Sequence, residues 1–121
     1  MIYIARVEIN RAGSVEGESL DIEERVCIAL AAVPRGRIVS YGGLAELSQA
    51  PGRARLIGRI LGRISGRAGL PWQRVVRSDG RIAMPPGSAG HRRQAELLGQ
   101  EGVEVRGGRV VRPARYFWPD R

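Results

Sequence analysis

The sequence contains no lysine, a single cysteine (Cys27) and a single histidine (His91). One cysteine excludes an internal disulfide and fits a reducing compartment. A protein metal site draws on clusters of His, Cys or carboxylate. Cys27 and His91 lie far apart in the chain, so no metal or cofactor is expected. A nucleophile–base pair would have to use His91, the only imidazole. Flanked by Arg92 and Arg93, His91 reads instead as a solvated helix residue or a phosphate contact. There is no glycine-rich nucleotide loop, and Gly107-Gly108 reads as hairpin chemistry. No catalytic residue is expected, and hence no enzyme. No apolar run approaches the ~18 residues of a membrane span. The start, Met1 to Arg6, lacks the basic-then-apolar order of a secretion signal. The expectation is a cytoplasmic monomer without membrane contact.

What is present is arginine, unevenly spread. The chain has 121 residues, enough for one core, and carries a net charge of +8. Residues 1–50 hold five arginines against seven acids, and residues 82–121 hold seven against four. Residues 51–81 hold eight against one. A GC-rich genome would raise arginine everywhere, but it would not concentrate the charge in the middle third. Such a concentration is the electrostatic footprint of a polyanion partner.

Alternation over residues 2–9 predicts a short strand, and the polar, glycine-containing residues 10–20 predict a loop or loosely held arm. Asp21 caps a helix expected to reach about Val33, with Ile22, Val26, Ala29 and Leu30 on one stripe and Glu23 and Glu24 in the first turn. Cys27 beside that stripe reads as a small buried apolar residue. Pro34 to Arg37 stops the helix, and Ile38-Val39 is extended. Ser40 caps a second helix, about Tyr41 to Ser48. Pro51 stands near the start of a third, about Arg53 to Ile64. Two short helices joined by a brief turn predict a helix-turn-helix.

The third helix has two unlike faces. Leu56, Ile57, Ile60, Leu61 and Ile64 are apolar, whereas Arg55, Gly58, Arg59 and Gly62 share another stripe. Each glycine costs about 1 kcal/mol relative to alanine in a helix. Beside arginines, glycines permit close approach to a nucleic-acid groove; the competing explanation is tight packing on a neighbouring helix. Further on, Arg74 to Arg77 are extended, Ser78-Asp79-Gly80 turns, and Arg81-Ile82-Ala83 returns as a strand. A fourth helix runs from about Ala89 to Gln100, with Ala95, Leu97 and Leu98 inward. A hairpin joins Val103–Val105 to Arg109–Val111 through Arg106-Gly107-Gly108. The aromatic tail, Tyr116 to Pro119, packs back on the body. The fold class expected is mostly α with a small β-hairpin wing, a winged-helix-like DNA-binding domain over residues 21–118. Residues 1–20 form an extension and 119–121 a tail.

Three stretches carry a resemblance: Val33 to Gly42 (VPRGRIVSYG), Arg53 to Gly58 (RARLIG) and Pro71-Trp72-Gln73-Arg74-Val75-Val76. In this order and at this spacing they resemble the O6-alkylguanine-DNA alkyltransferases, which carry Pro-Cys-His-Arg-Val where this chain has Pro71 to Val75. Trp72 in place of the alkyl-accepting cysteine is the mark of the alkyltransferase-like proteins, which bind alkylated guanine without repairing it. Arg115-Tyr116-Phe117-Trp118 is also similar to the ending of bacterial members. The resemblance implies a partner, duplex DNA containing O6-alkylguanine, entered through the minor groove with the damaged base flipped into a pocket. It implies DNA contacts from Ser40, Tyr41, Arg55, Gly58 and Arg59. Arg55 would fill the vacated stack and Tyr41 would push the adjacent phosphate. It implies a lesion pocket of Tyr41, Trp72, Arg74 and Val75, and a hand-over to nucleotide excision repair proteins. Gln73 departs from the family histidine; it keeps hydrogen bonding but not proton transfer. Ile82 to Pro86 is more apolar than the corresponding loop of some relatives.

Two other readings fit parts of the sequence. A plain winged-helix regulator explains the charge but not Pro71-Trp72-Gln73-Arg74. A base-excising enzyme would need a carboxylate, and Asp79 and Glu46 are the acids near the motifs; turn chemistry accounts for Asp79.

Overall fold

The computed structural model describes residues 20–120 and the backbone of 7–9 and 15–17. The strand expected over residues 2–9 is seen as β1 (Val7–Ile9), while residues 2–6 lie outside the described residues. Residues 10–20 are not simply a loop: β2 (Val15–Gly17) pairs antiparallel with β1, Glu8 opposite Glu16. Backbone bonds make this pair, and a Val-Glu-Gly strand offers too little alternation to be read from sequence.

Helix α1 (Ile22–Ala32) starts in a capping box. Asp21 Oδ1 accepts from the Glu24 amide at 2.8 Å, and Glu24 Oε1 accepts from the Asp21 amide at 3.2 Å. Two of the amides orphaned at the helix start are thereby satisfied. Val26, Ala29 and Leu30 face the core. Strand β3 (Val39–Ser40) leads directly into α2 (Tyr41–Leu47), capped as expected by Ser40, whose Oγ accepts from the Gly43 amide at 2.9 Å.

The connection to α3 (Ala54–Ile64) sets the helix-turn-helix. Ser48, fully buried, donates its hydroxyl to Leu44 O at 2.7 Å, and Gln49 takes a left-handed conformation, φ 62°. Arg25 of α1 donates its Nε to Ser48 O at 2.7 Å, closing the end of α2. Pro51 lies in the expected turn just before α3, where Gly52 takes φ 79° and the Arg53 amide bonds Ala50 O at 3.2 Å. Val26, Leu30, Leu44, Ile57, Ile60 and Ile64 of the three helices form one core, each fully buried. Burying a side chain of this size stabilises by about 1.5–3 kcal/mol.

A short parallel pair joins distant parts of the chain. β3 lies beside β4 (Val75–Val76), Val39 opposite Val75 and Ser40 opposite Val76. On the other side of β3, Ile38 bridges to Phe117; the Trp118 amide bonds Ile38 O at 2.9 Å. Trp118 thus packs back on the helical core, as the sequence suggested. Helix α4 (Ala89–Gln100) buries Leu98 and Gln94 fully or nearly so, whereas Ala95 and Leu97 remain half-buried. The hairpin is tighter than expected: β5 (Val105–Arg106) and β6 (Arg109–Val110) are joined by Gly107-Gly108 alone, both with positive φ. Two glycines suit a two-residue turn that needs φ > 0 twice. The strand expected at Arg81–Ala83 shrinks to one bridge, Arg81 with Arg109. Ile38, Val76, Leu98, Val103 and Val110 form a second core beneath this hairpin. The architecture is mostly helical with small sheets and a helix-turn-helix.

Candidate nucleic-acid interface

Arginine on α3 divides into two kinds. Arg63 and Arg67, at and just beyond its C-terminal end, meet Glu23 of α1 at 3.2 and 2.6 Å. They pin the helix to its neighbour. Arg53, Arg55 and Arg59 are exposed and have no ion-pair partner among the described residues. The charge excess of the middle third is therefore partly structural. Its uncommitted part is concentrated at the outer face and start of α3.

The glycines on that face are not there to admit a neighbouring helix. A side-chain carbon at Gly62 would meet nothing within 4 Å, and at Gly58 it would only reach Tyr41 Cε1 at 4.0 Å, an ordinary contact. There is room for a methyl group at both, so internal packing does not explain them. They leave bare backbone beside Arg55 and Arg59, open to an external surface. Tyr41, the first residue of α2, faces this stripe at Gly58 and is half-buried; burial raises its hydroxyl pKa, and the positive charge of Arg77 partly offsets the rise. Tyr41, Gly58, Arg55, Arg59 and Arg77 thus belong to one region. Ser40, by contrast, gives its hydroxyl to the α2 cap and so sets where Tyr41 begins the helix.

The Pro71–Val76 stretch is held firmly. Trp72–Arg74 form a turn of 3₁₀ helix in which Trp72 stays half-exposed. The next residue, Val75, is in β4 and buried in the helical core. Arg74 faces inward: its Nε donates to Glu101 at 2.9 and 3.1 Å, and its Nη1 donates to Val33 O at 2.7 Å. Gln73 Nε2 donates to Glu101 Oε2 at 2.7 Å, and the Gly36 amide donates to Oε1 at 2.8 Å. Buried Gln94 completes the clamp through Nε2, bonding Gln73 O at 2.9 Å and Val75 O at 2.8 Å. Trp72 is thereby carried on a turn fixed from α4, from the loop after α1 and from the residue just past α4.

Glu101 was not singled out by sequence reasoning, although one signal was available. A carboxylate at the C-terminal end of a helix opposes the helix dipole, and an acid kept there implies a strong partner. Burial disfavours its ionisation, but the bonds from Arg74, Gly36 and Gln73 outweigh burial and lower its pKa below the ordinary glutamate value. Asp79 behaves as turn chemistry: its Oδ1 accepts from the Arg81 amide at 3.0 Å. Cys27 is half-buried on α1 with Sγ 3.3 Å from Arg67 Nη1, and burial raises its thiol pKa. It is an unactivated thiol on a different element from the motif. A cleft of about 680 Å³ opens beside the start of α2, lined among others by Ser40, Gly43, Phe117 and Trp118; Tyr41, Trp72, Arg74 and Val75 do not line it.

Comparison with known proteins bears on this geometry. Residues 21–103 match the family model described as the 6-O-methylguanine DNA methyltransferase, DNA binding domain. A "DNA base-flipping protein" of Escherichia coli (strain K12) is 38% identical over 95 residues, 78% of this chain and 72% of the relative. "Alkyltransferase-like protein 1" of Schizosaccharomyces pombe is 35% identical over 81 residues, 67% of this chain and 75% of its own length. The crystal structure of S. pombe Atl1 in complex with damaged DNA containing O6-carboxymethylguanine superposes with a TM-score of 0.73 at 30% identity, covering 84% of this chain and 99% of that one.

Proposed function

The chain belongs to the family of the 6-O-methylguanine DNA methyltransferase DNA-binding domain, and from that premise we propose that it is a non-enzymatic sensor of O6-alkylguanine in duplex DNA. The observation that carries the reading is Trp72. A half-exposed tryptophan, clamped in place, stands where the alkyltransferases resembled here carry their acceptor cysteine. Its indole offers an apolar wall and an N–H donor, but no nucleophile towards an alkyl group.

In this account α3 enters the minor groove with Arg55 and Arg59 towards DNA, and Gly58 lets the backbone approach. Tyr41 pushes the phosphate beside the damaged nucleotide. The base rotates into a pocket walled by Tyr41 and Trp72, with Val75 as floor and Arg74 holding the motif through Glu101. Flipping costs a few kcal/mol, and less for a base whose pairing is already impaired. An O6-alkyl group removes the guanine N1 proton and weakens its pair with cytosine, so the lesion lowers the cost. Arg55, inserted into the gap, recovers stacking and adds attraction to phosphates. Bound lesion is then passed to nucleotide excision repair proteins.

The absence of chemistry is directly testable. After prolonged incubation with a duplex bearing O6-methylguanine, the lesion is expected to be recovered unchanged, with no free base and no methyl mass added to the protein. Mass spectrometry of both partners reads this. A 14 Da gain on the protein, or released base, would refute the non-enzymatic reading.

A further inference from the structure

Four arginines lie side by side across successive segments at the edge of the wing. Arg106 is the cross-strand partner of Arg109, and Arg109 bridges to Arg81. The Arg77 amide donates to Arg81 O at 2.8 Å across the Ser78-Asp79-Gly80 turn. All four side chains are exposed. Directly opposed residues of an antiparallel pair project from the same face, and like charges there are destabilising. The fold therefore holds like charges side by side in one row. With about 5 Å between neighbours, the row extends roughly 15 Å.

The row is rigidly mounted. The Ile82 amide bonds Gly108 O and the Val110 amide bonds Gly80 O, both at 2.9 Å, so hairpin and turn move as one. Gly80, at φ 89°, sits against Pro113; a side-chain carbon there would come within 2.8 Å of it. Two acids lie within the row. Asp79 is 3.6 Å from Arg81, its carbonyl accepts from Arg109 Nε at 2.9 Å, and Glu104 pairs with Arg106. These exposed pairs are worth at most about 1 kcal/mol and leave a net positive charge. The Arg77 end meets the helix-turn-helix, where its charge is felt at Tyr41.

We propose that Arg77, Arg81, Arg109 and Arg106 form a second phosphate-tracking surface, extending the DNA footprint from α3 along the backbone beyond the lesion. Resting on the DNA-binding reading above, the row contributes affinity without lesion discrimination, because phosphates carry no base information.

The test is the salt dependence of affinity for one duplex with and without O6-methylguanine. Each phosphate contact contributes about 0.9 to the slope of log K against log salt. Arg106→Ala/Arg109→Ala is expected to lower the slope by ~1.8 and leave the lesion-to-undamaged ratio unchanged. Arg106→Lys/Arg109→Lys is expected to restore most of the slope. Arg35→Ala/Arg93→Ala, removing equal charge elsewhere, is expected to change it little. Thermal unfolding checks that each variant folds, and Arg106→Ala alone, expected to lower the slope by ~0.9, serves if the alanine pair does not. An unchanged slope in a folded alanine variant, or an equal loss in the Arg35/Arg93 control, overturns the proposal. A wild-type ratio near one would sink the lesion-sensor reading instead, while the slopes would still judge the arginine row.

Discussion

Glu101→Ala is expected to cost about 3 kcal/mol of folding stability, because breaking a buried ion pair from one side strands the other charge. The Glu101 side chain is 3% exposed and that of Arg74 14%. Removing the carboxylate leaves Arg74 Nε, Gln73 Nε2 and the Gly36 amide without their acceptor. In a domain stable by only 5–15 kcal/mol this is a large fraction. Urea unfolding should show a lower midpoint with little change of slope. A loss below about 1 kcal/mol would mean that the clamp on the Trp72 turn is redundant. The same carboxylate predicts acid sensitivity. Its folded-state pKa lies below the ordinary value of 4.5, so folding favours the ionised form. That contribution is complete above the unfolded value and is lost as pH falls through the folded one. Wild type should lose stability below about pH 4.5 more steeply than Glu101→Gln.

Arg55→Ala is expected to leave stability within about 0.5 kcal/mol of wild type, since the side chain is exposed. Its effect falls on binding. Stacking against a base is worth about 1–3 kcal/mol, so affinity for an O6-methylguanine duplex should fall by roughly 5- to 150-fold. Undamaged duplex, which is not flipped, should lose only a phosphate-sized contribution. Equal losses on both duplexes would make Arg55 an ordinary backbone contact.

Much of this fold could be read from local chemistry. Asp21 and Ser40 announced the helices they cap, Ser78-Asp79-Gly80 announced its turn, and the apolar stripe of α3 announced its buried side. What escaped was non-local. A two-residue parallel pair, Val39-Ser40 with Val75-Val76, has no sequence pattern of its own, and its partners are separated by the whole helix-turn-helix. The Glu101 clamp joins residues 27 and 28 positions apart. The arginine surplus was visible, but not its division between pinning residues such as Arg63 and Arg67 and the uncommitted Arg55 and Arg59. Charge counts cannot tell which arginine faces an acid. At the site, the motif fixed attention on Trp72 and Gln73, and the structure adds why they stay in place.

The measurement closest to the central claim is an equilibrium titration of the wild-type protein at one fixed salt concentration. It uses one duplex bearing a single O6-methylguanine and the same duplex undamaged. Fixing salt matters because phosphate contacts alone change affinity steeply with it. The account predicts at least a tenfold preference for the lesion, about 1.4 kcal/mol or more. Equal affinity for the two duplexes would contradict it, leaving Trp72 a structural residue in a general DNA-binding domain.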